Sequence, residues 1–135
     1  MDVIFNLSHQ NIIELHQLYQ NEWWTKNRTL KESERCVNGS QICIGLLDEH
    51  GRLQGFARVL TDYIFKAFIF DLIVSPTYRG KGLGDQLINL VKNHQALSQV
   101  KCFELYCLPE LEDFYKSHGF TADVGGINLM RFINI

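Results

Sequence analysis

At 135 residues, 46% hydrophobic and 21% charged, the chain has the size and composition of one globular domain (1–135) with a single core, and it needs neither disulfides nor a structural metal to fold. A net charge of −2 argues against a broad nucleic-acid-binding face. No run approaches the roughly 18 apolar residues of a membrane span.

The N-terminus lacks a basic leader region and a small-residue cleavage site, which predicts a cytoplasmic, reducing location. Cys36, Cys43, Cys102 and Cys107 form no Cys-x-x-Cys pair and are expected as free, buried thiols. The five histidines show no ligand spacing, so no metal is expected.

Residues 2–7 predict a short strand. Ser8 is placed to cap a helix whose apolar stripe is Ile12, Ile13, Leu15, Leu18 and Tyr19 and which ends near residues 20–24. Thr29-Leu30-Lys31-Glu32 has the capping-box pattern, predicting a second helix to about Val37, stopped by Asn38-Gly39. Runs 41–47 and 53–62, joined by Asp48-Glu49-His50-Gly51, predict an antiparallel hairpin. Residues 65–74 are almost continuously apolar, as in a central strand covered on both faces, and Ser75-Pro76-Thr77-Tyr78 closes it. A third helix follows from Leu83 to about His94, then a strand over 100–107, a helix over 109–117, and closing strands from Phe120 onward.

Between the apolar strand and the third helix stands Arg79-Gly80-Lys81-Gly82-Leu83-Gly84. A glycine loop leading into a helix offers backbone N–H groups and the positive end of the helix dipole to an anion, with charge added by Arg79 and Lys81. A P-loop would need Lys-Ser or Lys-Thr, whereas Gly82 follows Lys81. The dinucleotide pattern counted from Gly80 would need glycine at Asp85. The alternative to an anion site is a plain glycine-rich turn.

The loop resembles the acyl-CoA motif [RQ]-x-x-G-x-[GA] of the GNAT superfamily of N-acyltransferases, with Arg79, Gly82 and Gly84 at its fixed positions. The segment 71–78 and Phe114-Tyr115-Lys116-Ser117-His118-Gly119-Phe120 resemble the fourth strand and the FY-x-x-x-GF segment of that superfamily. Trp23-Trp24-Thr25-Lys26, Arg28-Thr29 and the run 56–62 resemble a group of small, uncharacterised bacterial members. The resemblance implies an α/β (α+β) fold whose mixed, mostly antiparallel sheet is flanked by helices and splayed between the fourth and fifth strands. It implies acetyl-CoA as co-substrate. Pantetheine would lie along Leu72, Ile73 and Val74, with the pyrophosphate on Arg79, Gly80, Lys81, Gly82, Leu83, Gly84 and Asp85, and Tyr115 beside the sulfur.

The implied activity is transfer of acetyl to a primary amine, a small or amino-acid-like metabolite, by direct attack in a ternary complex. A non-catalytic acyl-CoA sensor and a lysine or N-terminal acetyltransferase are the alternatives. The strand glutamate of many relatives is Phe70 here, and Leu108-Pro109 stand where an asparagine follows the fifth strand. Asp71 is either the base or amine-orienting group, sharing a face with Ala67, Ile69 and Ile73, or half of a buried ion pair with Arg58. Tyr115 is the candidate acid, its phenol near 10 against a thiol near 8.5. Trp23, Trp24, Arg28, Arg58 and Asp71 are the candidate acceptor-site residues. The tryptophans wall an amine pocket or pack in the core, and the arginines suit a substrate carboxylate. The expected partner is a small-molecule amine, without nucleic acid or membrane, and a homodimer is compatible with the sequence.

Overall fold

The computed structural model describes residues 1–135. Its elements run β1 (Asp2–Ile4), α1 (His9–Gln20), α2 (Leu30–Asn38), β2 (Ile42–Leu47), β3 (Leu53–Thr61), β4 (Lys66–Val74), α3 (Leu83–Lys92), β5 (Cys102–Leu105) and α4 (Glu112–Lys116). The chain groups into two compact units, Met1–Leu105 and Tyr106–Ile135.

In the first unit the strands lie in the order β1-β2-β3-β4-β5. The first three pairings are antiparallel and β4–β5 is parallel. The β4–β5 pairing runs from Lys66↔Cys102 to Ile69↔Leu105. There β5 ends, while β4 continues to Val74. The expected splay thus takes the form of a fifth strand paired along its whole length that stops five residues short of the end of β4.

The starts of α1 and α2 are capped by side chains. Ser8 Oγ accepts from the Asn11 N–H while Asn11 returns a bond to the Ser8 N–H, and Thr29 and Glu32 do the same for α2. Each cap satisfies helix donors that would otherwise be orphaned, worth about 1 kcal/mol.

Helices cover both faces of the sheet. Leu15, Leu18 and Tyr19 of α1 pack with Cys43, Leu53, Phe56 and Ile73. On the opposite face Gly55 stands beside Leu46 and Leu87, where a β-carbon would come within 3.2 Å and 3.4 Å of their side chains, so its bareness admits α3. Fully burying each such core side chain stabilises the fold by roughly 1.5–3 kcal/mol.

The alternation along β4 is broken once. Phe70 pairs with Arg58 and Ile73 with Phe56, so Asp71 and Leu72 together face the single residue Ala57. This is a β-bulge, and Asp71 within it has φ +55°, a left-handed conformation that aspartate tolerates better than most residues. Directly paired residues share a face. Phe70 and Ile73 therefore both lie on the α1 side although three apart. Asp71 does not share the face of Ala67 and Ile69, as plain alternation predicts; the bulge carries it to the α1 side.

In the second unit, a 3-10 turn over Pro109–Leu111 leads into α4. The Phe120 N–H bonds the Tyr115 carbonyl and the Gly119 N–H bonds the Lys116 carbonyl, with Gly119 at φ +91°. This is a Schellman stop, in which the C3 and C″ side chains meet. Here they are Tyr115 and Phe120, whose ring centroids lie 6.0 Å apart edge to face.

The closing strands expected from Phe120 do not form. Residues 121–135 carry a turn at Gly125-Gly126 and no strand. Residues 127–135 are rich in apolar side chains, but Met130, Arg131 and Phe132 break any period of two, and Met130 and Phe132 are about nine-tenths exposed. The cysteines are free as expected, yet only Cys43 is buried; Cys102 and Cys107 are exposed. Strand 102–105 is an edge, so its side chains are covered less than those of a central strand. No helix is long and apolar enough to cross a membrane.

Candidate active site

The glycine loop begins where β4 ends. A 3-10 turn over Pro76–Tyr78 delivers the chain to Arg79. Gly80 and Gly82 then adopt φ +76° and +82°, with open space where a β-carbon would stand. Gly82 caps α3, and the first helical bond runs from the Gln86 N–H to the Gly82 carbonyl. The earlier N–H groups, those of Leu83 and Gly84 among them, stand at the helix mouth. Lys81 reaches over the Tyr78 ring, 5.1 Å from its centroid. Asp85 lies in the first turn and Leu83 points into the core. Two left-handed glycines, open space and a helix dipole form a cradle that fits a pyrophosphate.

The end of β4 continues this surface. The Ser75 N–H bonds the Gln54 carbonyl on β3. Strand alternation therefore turns the Val74 N–H and C=O to the other side of β4, where β5 has ended. Leu72 and Val74 are half-buried there, while the Ile73 side chain is in the core. The Val74 carbonyl accepts from Arg79 Nε at 3.3 Å, and the same guanidinium is ion-paired with Glu22.

Asp71 is the centre of a second cluster. Its Oδ2 accepts from the Tyr19 hydroxyl at 2.9 Å, from Arg28 Nη1 at 2.6 Å and from Arg58 Nε at 2.7 Å, and its Oδ1 accepts from Arg28 Nη2 at 3.2 Å. The carboxylate is 3% exposed. Burial alone would raise its pKa, but the two guanidiniums hold it below the usual carboxylate range. A group so disposed to stay ionised is a poor proton acceptor. The geometry thus favours the ion-pair reading of Asp71, with Arg28 joining Arg58.

Burial, with the neighbouring Asp71 charge, pushes the Tyr19 phenol far up. The Arg28 guanidinium lies 4.6 Å over the Tyr19 ring and that of Arg58 5.1 Å over Phe70. Tyr19 was read from sequence only as part of an apolar stripe. The signal that could have found it is the hydroxyl on an otherwise apolar face, since a buried phenol requires a partner.

Trp23 and Trp24 lie in the turn between α1 and α2 and are 69% and 41% exposed, so they are not core residues. Thr25 holds that turn: it is fully buried and its hydroxyl donates to the Tyr19 carbonyl at 2.7 Å. Tyr115 is buried in the second unit, its phenol pushed up to about 12 by burial and by Cys107.

A family model described as "Acetyltransferase (GNAT) domain" matches residues 38–122, and the chain belongs to the GNAT acetyltransferase family. It is 33% identical over 123 residues to an uncharacterised N-acetyltransferase, ycf52, of Pyropia yezoensis, covering 89% of this chain and 70% of that one. It is 36% identical over 83 residues to a Glycine max protein named histone acetyltransferase TAP1, covering 62% of this chain and 36% of that protein. Among solved structures, a Xanthomonas campestris protein assigned to the GNAT family of acetyltransferases superposes with a TM-score of 0.82 and 28% identity, over 98% of this chain and 94% of that one. The chain is accordingly an acyltransferase of the N-acetyltransferase class.

Proposed function

We propose that the protein transfers acetyl from acetyl-CoA to a small primary amine that carries an acidic group, by direct attack of the amine in a ternary complex. The observation that carries this reading is the continuous surface from Val74 to Gly84, in which strand-edge groups lead to a cradle shaped for a pyrophosphate. Acetyl-CoA would supply the thioester carbonyl. On this chain, the Val74 N–H is the candidate donor to its oxygen, and the N–H groups of Gly80 to Asp85 would hold the phosphates with Lys81 beside them.

For the amine, the Asp71 cluster supplies position rather than a base. Two guanidiniums on one carboxylate leave one positive charge over, and the Arg28 side chain is 26% exposed. It belongs to the same connection as the exposed Trp23 and Trp24, which together suit an amine bearing a carboxylate or similar acid. With no glutamate on β4 and Asp71 held ionised, proton removal falls to ordered water. The Tyr115 hydroxyl is the candidate hydrogen-bond donor to the departing thiolate.

The test is a thiol-release assay with acetyl-CoA over a panel of amines matched in length, with and without a carboxylate. Turnover should favour the acidic members and depend on Arg28. Cofactor binding without turnover of any amine would leave the non-catalytic acyl-CoA sensor as the surviving reading. Turnover confined to lysine or N-terminal peptides would replace the small-molecule acceptor by a protein.

A further inference from the structure

Arg79 opens the glycine loop, yet its side chain does not reach toward it. The guanidinium folds back, with Nε donating to the Val74 carbonyl at 3.3 Å and Nη2 ion-paired with Glu22, 57 residues away in sequence. Glu22 is also a backbone anchor of the turn that bears both tryptophans. Its carbonyl accepts from the Thr25 N–H at 3.1 Å and the Lys26 N–H at 2.9 Å, and its own N–H bonds Tyr19 at 3.3 Å. One ion pair therefore ties together the end of β4, the glycine loop and the turn at residues 21–27. Sequence reading singled out Arg79, Trp23 and Trp24 but not the glutamate that joins them.

The pair is half open to water, with side chains 53% and 22% exposed. Such pairs are weak and are screened by salt, whereas a diphosphate offers a guanidinium several charged oxygens in bidentate geometry. A pyrophosphate at the helix mouth should win the exchange. The outcome frees the Val74 carbonyl and leaves the Glu22 carboxylate facing an anion, a like-charge repulsion that acts on the turn carrying it.

We propose that Glu22 is a positioning residue for cofactor capture. It holds Arg79 folded over the end of β4, and an arriving pyrophosphate takes the guanidinium from it and releases the turn carrying Trp23 and Trp24. This rests on the glycine loop being the acetyl-CoA site. The order of events follows: cofactor first, then rearrangement of the candidate acceptor wall. Glu22 also sets a ceiling on cofactor affinity, because its charge competes with the phosphates.

The two tryptophans of the turn are the only ones in the chain, so tryptophan emission, excited beyond the tyrosine band, reports on this turn alone. Wild type titrated with acetyl-CoA should show an emission change with the same midpoint as the calorimetric binding curve. Glu22→Gln should bind acetyl-CoA about threefold to tenfold tighter and show little further emission change, because its turn is already released. Arg79→Gln should have the released emission without cofactor, and adding Glu22→Gln to it should leave affinity unchanged. Equal or weaker binding by folded Glu22→Gln, or an emission response equal to that of wild type, would overturn the proposal alone. No heat with wild type at millimolar acetyl-CoA would overturn the glycine-loop reading and the proposal together.

Discussion

Arg58 Nε donates to Asp71 Oδ2 at 2.7 Å across the bulge between β3 and β4, so the one buried carboxylate of β4 is bound to its neighbouring strand by charge as well as by backbone pairing. The native pKa of Asp71 lies below the model-peptide value near 3.9. A depressed native pKa contributes stability that is present above the unfolded value and lost as pH falls through the native one. Wild type should therefore lose this contribution only below about pH 4. Asp71→Asn, which leaves two guanidiniums facing a neutral amide, should cost roughly 3–5 kcal/mol at pH 7 and flatten the acid limb. Urea unfolding at pH 7 and thermal melts from pH 2 to 5 measure both effects. Parallel loss of stability in the two proteins would show that Asp71 contributes nothing to the acid limb.

Tyr19→Phe removes a single donor from the same carboxylate while Arg28 and Arg58 remain. A hydrogen bond to a charged group is worth about 1.5–3 kcal/mol, so the loss should be clearly smaller than for Asp71→Asn. Since the Tyr19 ring also underlies Arg28 at 4.6 Å and remains in the variant, Arg28 should stay in place. The expected kinetic result is a modestly raised KM for the amine with an unchanged KM for acetyl-CoA. A raised acetyl-CoA KM would mean that the cluster serves the cofactor instead.

Much of this architecture is visible in local sequence, because caps and turns are local chemistry. Ser8, Thr29 with Glu32, and Gly51 at φ +73° mark element ends within a residue or two of where they occur. The glycine loop is equally local. What could not be read depends on partners distant in the chain. The bulge at Asp71 exists because β4 pairs with β3 out of step, and a strict period-two reading assigns Asp71 to the wrong face. Tyr19, Thr25 and Glu22 look unremarkable until folding brings them to Asp71, the turn backbone and Arg79. At the C-terminus the difference runs the other way, since the strands expected from Phe120 onward do not form.

Gly82 and Gly51 make a matched pair of left-handed glycines, both with open space at the β-carbon position. Substitution by alanine at either costs about 1 kcal/mol of backbone strain without a clash. Their consequences should differ. Gly82→Ala places a methyl group where the pyrophosphate would approach, and acetyl-CoA affinity should fall at least tenfold by calorimetry. Gly51→Ala, in the β2–β3 turn, should lose similar stability and no affinity. Equal affinity losses would mean that strain, not the cradle, governs binding.

Tyr115 raises a question of role that the Schellman stop makes answerable. Its ring meets Phe120 as the hydrophobic contact of that stop, which by itself accounts for an aromatic residue at this position. The hydroxyl is not needed for that contact, so Tyr115→Phe keeps the structural part and removes only the candidate donor. With its phenol pushed up to about 12, Tyr115 stays protonated throughout the working range. Complete proton transfer to a thiolate near 8.5 is then uphill by roughly 3.5 units, and hydrogen bonding to the leaving sulfur is the feasible contribution. Tyr115→Phe should lower kcat about 10- to 100-fold, with melting temperature and acetyl-CoA KM little changed. No alkaline limb in kcat below pH 10 should belong to this residue. Equal turnover by the two proteins would reduce Tyr115 to its structural part, with thiolate departure left to solvent.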